Sequence, residues 1–94
     1  MLTEHGIKIA VASSSSLNII NTVLSQHGLK NYFNCIVSGV EVLRGKPSPD
    51  IFIEASKRLQ IGNSHCVVFE DAIDGIRAAK SAGMKCIAIP SFLI

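Results

Sequence analysis

Tryptophan is missing from this 94-residue chain, and its other aromatics are four phenylalanines and one tyrosine. A core with so few rings must be packed with aliphatic side chains. A hydrophobic fraction of 48% against 17% charged residues supplies them and excludes a disordered chain. Neither sign of charge dominates: nine Lys and Arg against seven Asp and Glu leave +2. That scattered excess is too small to argue for nucleic acid or an anionic membrane surface as a partner. No run approaches the ~20 apolar residues that span a bilayer. Met1-Leu2-Thr3-Glu4-His5-Gly6 has neither the basic start nor the apolar core of a signal peptide. There are three cysteines, Cys35, Cys66 and Cys86, with no Cys-x-x-Cys pair and no ligand spacing to the three histidines. A disulfide framework and structural zinc are therefore not expected, and a reduced, cytoplasmic protein is.

What remains is a regular alternation of apolar runs and helical periods, short enough to be one domain at most. Ile7–Ala12 reads as a strand, following a Gly6 placed to close a preceding helix. Ser13–Ser16 is a small polar loop. Leu17, Ile20, Val23, Leu24 and His27 recur at helical spacing until Gly28. Cys35–Ser38 is a second strand, and Gly39–Pro47 a loop. Ser48 and Pro49 suit an N-cap and a first-turn proline. The helix they open runs to about Gln60, with Glu54 and Arg58 as an outward i,i+4 pair and Gly62 as its stop. Strand Cys66–Phe69, helix Ile73–Ala82 and strand Lys85–Ile89 follow. The order β-α-β-α-β-α-β predicts an α/β fold, a parallel sheet with helices on both faces. Strands apolar at nearly every position suggest cover on both sides. The chain reads as starting on a helix's tail and finishing on the apolar Ser91-Phe92-Leu93-Ile94, as if cut from a larger domain.

In a parallel sheet all carboxyl ends share one rim, the place where open α/β sheets bind ligands. Three polar signals fall there. Glu70-Asp71 ends a strand, and adjacent carboxylates suit Mg²⁺, which takes one or two protein carboxylates plus phosphate oxygens. Asp71 or Asp74 equally suits a helix cap. Ser13-Ser14-Ser15-Ser16 joins a strand to a helix start, where small residues, N–H groups and hydroxyls favour an anion. Ser15 or Ser16 equally suits an N-cap. Lys46, between Gly45 and Pro47, sits on a restricted backbone and could balance phosphate or carboxylate charge. The plain alternative is a solvated loop lysine, which is how Arg44 reads. Donors and a lysine for an anion, with carboxylates for a metal, fit phosphoryl chemistry. A nucleophile is lacking, since no serine is paired with His5, His27 or His65.

Together these residues resemble the haloacid dehalogenase superfamily, in particular its β-phosphoglucomutase-like phosphatases and phosphomutases. Ile9-Ala10-Val11-Ala12-Ser13-Ser14-Ser15 is similar to the second family motif, with Ser13 as the phosphate-binding hydroxyl. Gly45-Lys46-Pro47-Ser48-Pro49-Asp50-Ile51-Phe52 is similar to the third, with Lys46 as its lysine. Val67-Val68-Phe69-Glu70-Asp71-Ala72, followed by Gly75, Ala78, Ala79 and Gly83, is similar to the fourth, with Glu70 and Asp71 as its Mg²⁺-binding pair.

The resemblance implies a Rossmann-like three-layer sheet and a Mg²⁺-dependent phosphohydrolase of small phosphorylated metabolites, working through an aspartyl phosphate. Ser13, Ser14, Ser15 and Lys46 would hold the phosphoryl oxygens, with Ser13 and Lys46 taking part in catalysis. The family's first motif, Asp-x-Asp-Gly-Thr/Val, carries the nucleophile and does not occur in this sequence. Neither does the substrate-selecting cap. The family's first-motif strand lies between those matching Ile7–Ala12 and Cys66–Phe69, so an incomplete sheet with a central gap is expected. Such a chain should be inactive alone and could self-associate through unpaired strands. A non-catalytic remnant and a sugar phosphomutase piece are the alternatives.

Overall fold

A computed structural model describes residues 6–89. Its elements are β1 (Ala10–Ser13), α1 (Leu17–Gln26), β2 (Cys35–Ser38), α2 (Asp50–Leu59), β3 (Val67–Glu70), α3 (Ile73–Ser81) and β4 (Lys85–Ala88). All pairing is parallel, as the alternation predicts. β1 runs beside β2 with Ala10 opposite Cys35 and Ser13 opposite Ser38, and β3 beside β4 with Val67 opposite Lys85 and Glu70 opposite Ala88. The two pairs form separate sheets, β1–β2 and β3–β4. The sheet is thus interrupted where the resemblance places the absent strand.

Crossover direction explains the layers. The chain steps from β1 to β2 through α1, then reverses to reach β3 through α2 and continues to β4 through α3. Right-handed crossovers therefore place α1 on one face and both α2 and α3 on the other. The core lies under α2 and α3, where Val37, Ile51, Phe52, Ala55, Ala78, Ala79, Ala82 and Met84 are buried against Ala10, Ala12, Cys35, Val68 and Cys86. The opposite face is covered less than the apolar strands suggested. Phe69 is 63% exposed, and Val67 and Ile87 49% each, on the side of the β3–β4 ribbon away from α3. Of the apolar positions in α1, Ile20 and Leu24 are buried, while Val23 and Ile19 face solvent. One helix is too narrow to cover both ribbons.

Several boundaries shift for local reasons. β1 starts at Ala10 rather than Ile7 because β2 starts at Cys35; before it, Asn34 closes the ladder. Its Oδ1 accepts from Ile9 N–H at 2.8 Å, and its N–H donates to the Ile9 carbonyl at 2.7 Å. Ser48 does not cap α2; its hydroxyl donates to Asp50 Oδ1 at 3.0 Å, and Pro49 stands at the cap position without a side-chain bond. The helix ends at Leu59, with Gln60 (φ 61°) taking the left-handed turn in place of Gly62. Gly6 has φ 75°, as a helix-closing glycine would, but the helix it would close and the Ser91–Ile94 run lie outside the described residues.

Arg58 does more than pair along its helix. Its Nε donates to Glu54 Oε2 at 3.0 Å, one Nη donates to the Ile36 carbonyl at 2.8 Å, and the other to Glu41 Oε1 at 3.2 Å. Glu41 in turn accepts from Ser38 N–H at 2.7 Å. The Ile36 carbonyl and Ser38 N–H are the β2 groups that point away from β1, so this side-chain pair occupies the outer sheet edge. Occupied edges resist pairing with another chain. The Ser38 N–H and then Arg58 pull the Glu41 carboxyl below its ordinary pKa, and Glu41 and Glu54 raise the Arg58 guanidinium. Arg58→Ala is expected to lower the thermal midpoint by roughly 4–8 °C, the shift that ~1 kcal/mol makes in a domain of this size. A melt unchanged to within a degree would show that water replaces the guanidinium at this edge.

Candidate functional site

The carboxyl ends of β1 and β3 face each other across the break in the sheet. β1 delivers Ser13 to the rim and leads into Ser14–Ser16. Ser16 takes the N-cap of α1, its hydroxyl accepting from Ile19 N–H at 3.4 Å. The Ser13 hydroxyl oxygen accepts from Ser15 N–H at 3.1 Å, which leaves its own hydrogen free to donate. The loop is anchored from below: buried Ser38 donates its hydroxyl to the Ser15 carbonyl. Gly39 lets the chain approach closely, because a Cβ there would meet Ser14 Cα at 2.9 Å.

Lys46 crosses the break. Its Nζ donates to the Ala12 carbonyl at 3.4 Å, on β1, and to Glu70 Oε2 at 3.2 Å, on β3. The ammonium also lies 5.2 Å from the centre of the Phe52 ring, within cation–π range. The Lys46 and Glu70 side chains are 16% and 12% exposed. Lys46 is therefore not a solvated loop lysine. Of its three N–H donors, these contacts use two.

Glu70 is held at both oxygens. Oε1 accepts from Asp71 N–H at 3.2 Å and Ala72 N–H at 3.3 Å. Burial pushes its carboxyl up, but the hydrogen bond and charge of Lys46, with the N–H groups of Ala72 and Asp71, outweigh that. The result is a pKa below the ordinary glutamate value. The capping role open to Asp71 or Asp74 is not taken by either: α3 has Ala72 at its N-cap and no side-chain cap bond. Glu70 binds the N–H groups ahead of the helix instead. Asp71 is exposed and lines a shallow depression with Phe69, Glu70 and Ile89.

Other residues fall away from this place. Arg44, 71% exposed, pairs with Asp50 (Nε to Oδ2, 3.6 Å). His27 lies at the end of α1 and His65 ahead of β3, while His5 is outside the described residues. Cys35, Cys66 and Cys86 are free thiols. The structure thus brings Ser13, Lys46 and Glu70 to one rim with Asp71 beside them. Two contributors had no clear sequence signal. Ser38 read as the last residue of a strand, and Phe52 as part of the helix opened by Ser48 and Pro49; only the fold turns them toward the loop and the lysine.

The family model described as haloacid dehalogenase-like hydrolase matches residues 1–89. The chain belongs to the haloacid dehalogenase-like hydrolases. It is 50% identical over 88 residues to the bifunctional riboflavin kinase/FMN phosphatase of Arabidopsis thaliana, covering 93% of this chain and 23% of that protein. Among solved structures, CbbY from Rhodobacter sphaeroides in complex with phosphate superposes with a TM-score of 0.90 at 36% identity, covering 97% of this chain and 42% of that one. A putative β-phosphoglucomutase from Thermotoga maritima gives 0.89 at 35% identity, covering 93% and 41%. The resemblance to phosphatases and phosphomutases of this superfamily therefore holds, and the chain spans less than half the length of these relatives.

Haloacid dehalogenase-like hydrolases imply Mg²⁺, and the residues at the rim fit it in part. Asp71 offers an exposed hard-oxygen donor of the kind Mg²⁺ prefers, and Glu70 stands next to it with its oxygens already engaged. Among the described residues no cluster of three or more acidic, His or Cys side chains forms. One free carboxylate with phosphate oxygens is within what this ion accepts.

The lowered pKa of Glu70 sets a pH dependence. A carboxyl whose folded pKa lies below its unfolded value contributes stability that is complete above the unfolded value and lost as pH falls through the folded one. Urea melts from pH 7 to pH 3 should show stability declining once pH drops below about 4.3. Glu70→Gln should start lower at pH 7 and decline less steeply. Parallel pH profiles for the two chains would rule out a folded-state role for the charge. Lys46→Met should cost about 2 kcal/mol at pH 7, because it strands a mostly buried carboxylate.

Proposed function

We propose that this chain is the phosphate- and Mg²⁺-binding part of a phosphohydrolase acting on a small phosphorylated metabolite. One observation carries the reading: the Lys46 ammonium is held between the Ala12 carbonyl, one residue before Ser13, and Glu70, one residue before Asp71. Cation, hydroxyl and carboxylates therefore meet at one rim. Ser13, with its hydrogen free, and Lys46, with its remaining N–H, would donate to phosphoryl oxygens. The Ser14 N–H adds a third donor. The Ser15 N–H is already taken by Ser13, so Ser15 serves to orient that hydroxyl. Asp71, with Glu70 beside it, would hold Mg²⁺, which when bound would neutralise phosphoryl charge.

Such groups stabilise charge and orient the ester, but they do not accept the phosphoryl group. In the proposed reaction an aspartate oxygen from outside these 94 residues attacks phosphorus. The bond to the ester oxygen breaks, that oxygen takes up a proton, and water then cleaves the aspartyl phosphate to inorganic phosphate and the free carboxylate. A phosphomutase would return the phosphoryl group to a sugar hydroxyl instead. Hydrolysis is favoured by the hydrolase family and by the FMN phosphatase relative. The three free thiols support a reducing, cytoplasmic setting, and we assign no nucleic acid or membrane partner.

Two measurements test this. The chain alone, with Mg²⁺, should release no phosphate from p-nitrophenyl phosphate at an enzymatic rate, yet should bind inorganic phosphate by NMR titration, with the shifts centred on Ser13–Ser15 and lost in Lys46→Ala. Turnover abolished by Asp71→Asn would reveal a nucleophile within the chain. Phosphate binding unaffected by Lys46→Ala would remove the proposed site. The second concerns association: among the described residues the β1 and β3 edges that face the break lack strand partners, so size-exclusion chromatography should show dimers or larger species. A monodisperse monomer melting within the ~45–65 °C of mesophilic domains would show that the halves close without them.

A further inference from the structure

Gly75 lies in the first turn of α3, fully within a right-handed helix, and is buried. Glycine is a poorer helix former than alanine, so a buried helical glycine calls for a reason. Gly28 and Gly83 are explained by their backbone: φ is 65° and 76°, and a Cβ at either would meet nothing within 4 Å. Gly75 is the reverse. Its backbone is ordinary, but a Cβ there would overlap Cγ, Cδ and Oε2 of Glu70. The space beside Gly75 is occupied by the carboxylate that pairs with Lys46.

We propose that Gly75 is a positioning residue for the Lys46–Glu70 pair. The missing side chain lets Glu70 fold back over the first turn of α3, where one oxygen collects the Asp71 and Ala72 N–H groups and the other is presented to Lys46. Any side chain at position 75 evicts the carboxylate. Three hydrogen bonds are then lost together, because the overlap involves the stem of Glu70 as well as its tip. Lys46 loses its partner on β3 and keeps only the Ala12 carbonyl on β1. Asp71 is changed too, since its own N–H is one of the donors that Glu70 organises. The inference adds a residue to the proposed site. Its test reads folding and amide shifts rather than phosphate chemistry, so its failure and that of the proposed function are separately visible.

The test is a double-mutant cycle on the full chain, with Gly75→Ala, Glu70→Ala and the two combined. If Gly75 acts through Glu70, Gly75→Ala should lower the thermal midpoint by on the order of 5 °C. In the Glu70→Ala background, the same change should leave the midpoint unchanged or raise it, since the overlapping group is gone and alanine favours the helix. The Asp71 and Ala72 amide proton shifts give a second readout that general loosening would not reproduce. In Gly75→Ala they should move to the positions they hold in Glu70→Ala, while amides in α1 and β2 stay in place. Equal destabilisation in both backgrounds, or Asp71 and Ala72 shifts unmoved by Gly75→Ala, would overturn the proposal. If Gly75→Ala does not fold, recovery of a folded chain in the double variant supports the proposal and failure to recover refutes it.

Discussion

Among the described residues, the ammonium of Lys46 is the one polar group that bonds both halves of the broken sheet at the rim. β1 and β3 share no ladder, so at their carboxyl ends the lysine stands between them, bonded to a backbone carbonyl on one side and a carboxylate on the other. Removing two charges from water is unfavourable, and mutual attraction offsets that only when further hydrogen bonds satisfy the remaining lone pairs and protons. Here they do. The Glu70 carboxylate also takes two N–H groups, and the ammonium rests against the Phe52 ring. The pair is therefore affordable where it stands, but the same volume filled with apolar side chains would serve folding at least as well. A buried ion pair of this kind is weak evidence for stability.

The two kinds of edge are treated differently. The outer edge of β2 is occupied by Arg58 and Glu41, which bond the Ile36 carbonyl and Ser38 N–H. Among the described residues, the inner edges of β1 and β3 carry no such guard along their length, and only the Ala12 carbonyl is met, by Lys46. An edge that is to face solvent needs charge to discourage pairing, whereas one that is to receive a neighbouring strand must keep its groups free. The same asymmetry appears in the layers: α2 and α3 cover one face, while Val67, Phe69 and Ile87 remain exposed on the other.

Much of this was legible in the residues. Alternating apolar runs and helical periods specified seven elements and their order, because buried parallel strands and amphipathic helices carry different periods. Parallel polarity then placed Ser13, Lys46 and Glu70-Asp71 at one rim without any coordinate. Local detail was less legible where two chemistries compete for one residue. Ser48 looked like an N-cap, yet its hydroxyl goes to Asp50, because Pro49 and Asp50 already fix the helix start. Asp71 and Asp74 looked like caps, yet neither caps α3, and the longer Glu70 side chain folds back onto the Asp71 and Ala72 N–H groups ahead of the helix.

By itself the sequence determined the fold class, the family and the residue types at the rim, since each follows from local pattern: period, punctuation and motif order. Tertiary structure alone decided which of those groups touch. Lys46 and Glu70 are 24 residues apart, and Arg58 reaches Glu41 across 17; no local pattern encodes a distance between side chains brought together by the β2–α2–β3 crossover. The same holds for Gly75, whose place in a helix is readable from its neighbours. The reason it carries no side chain is visible only once the carboxylate from the preceding strand fills that space.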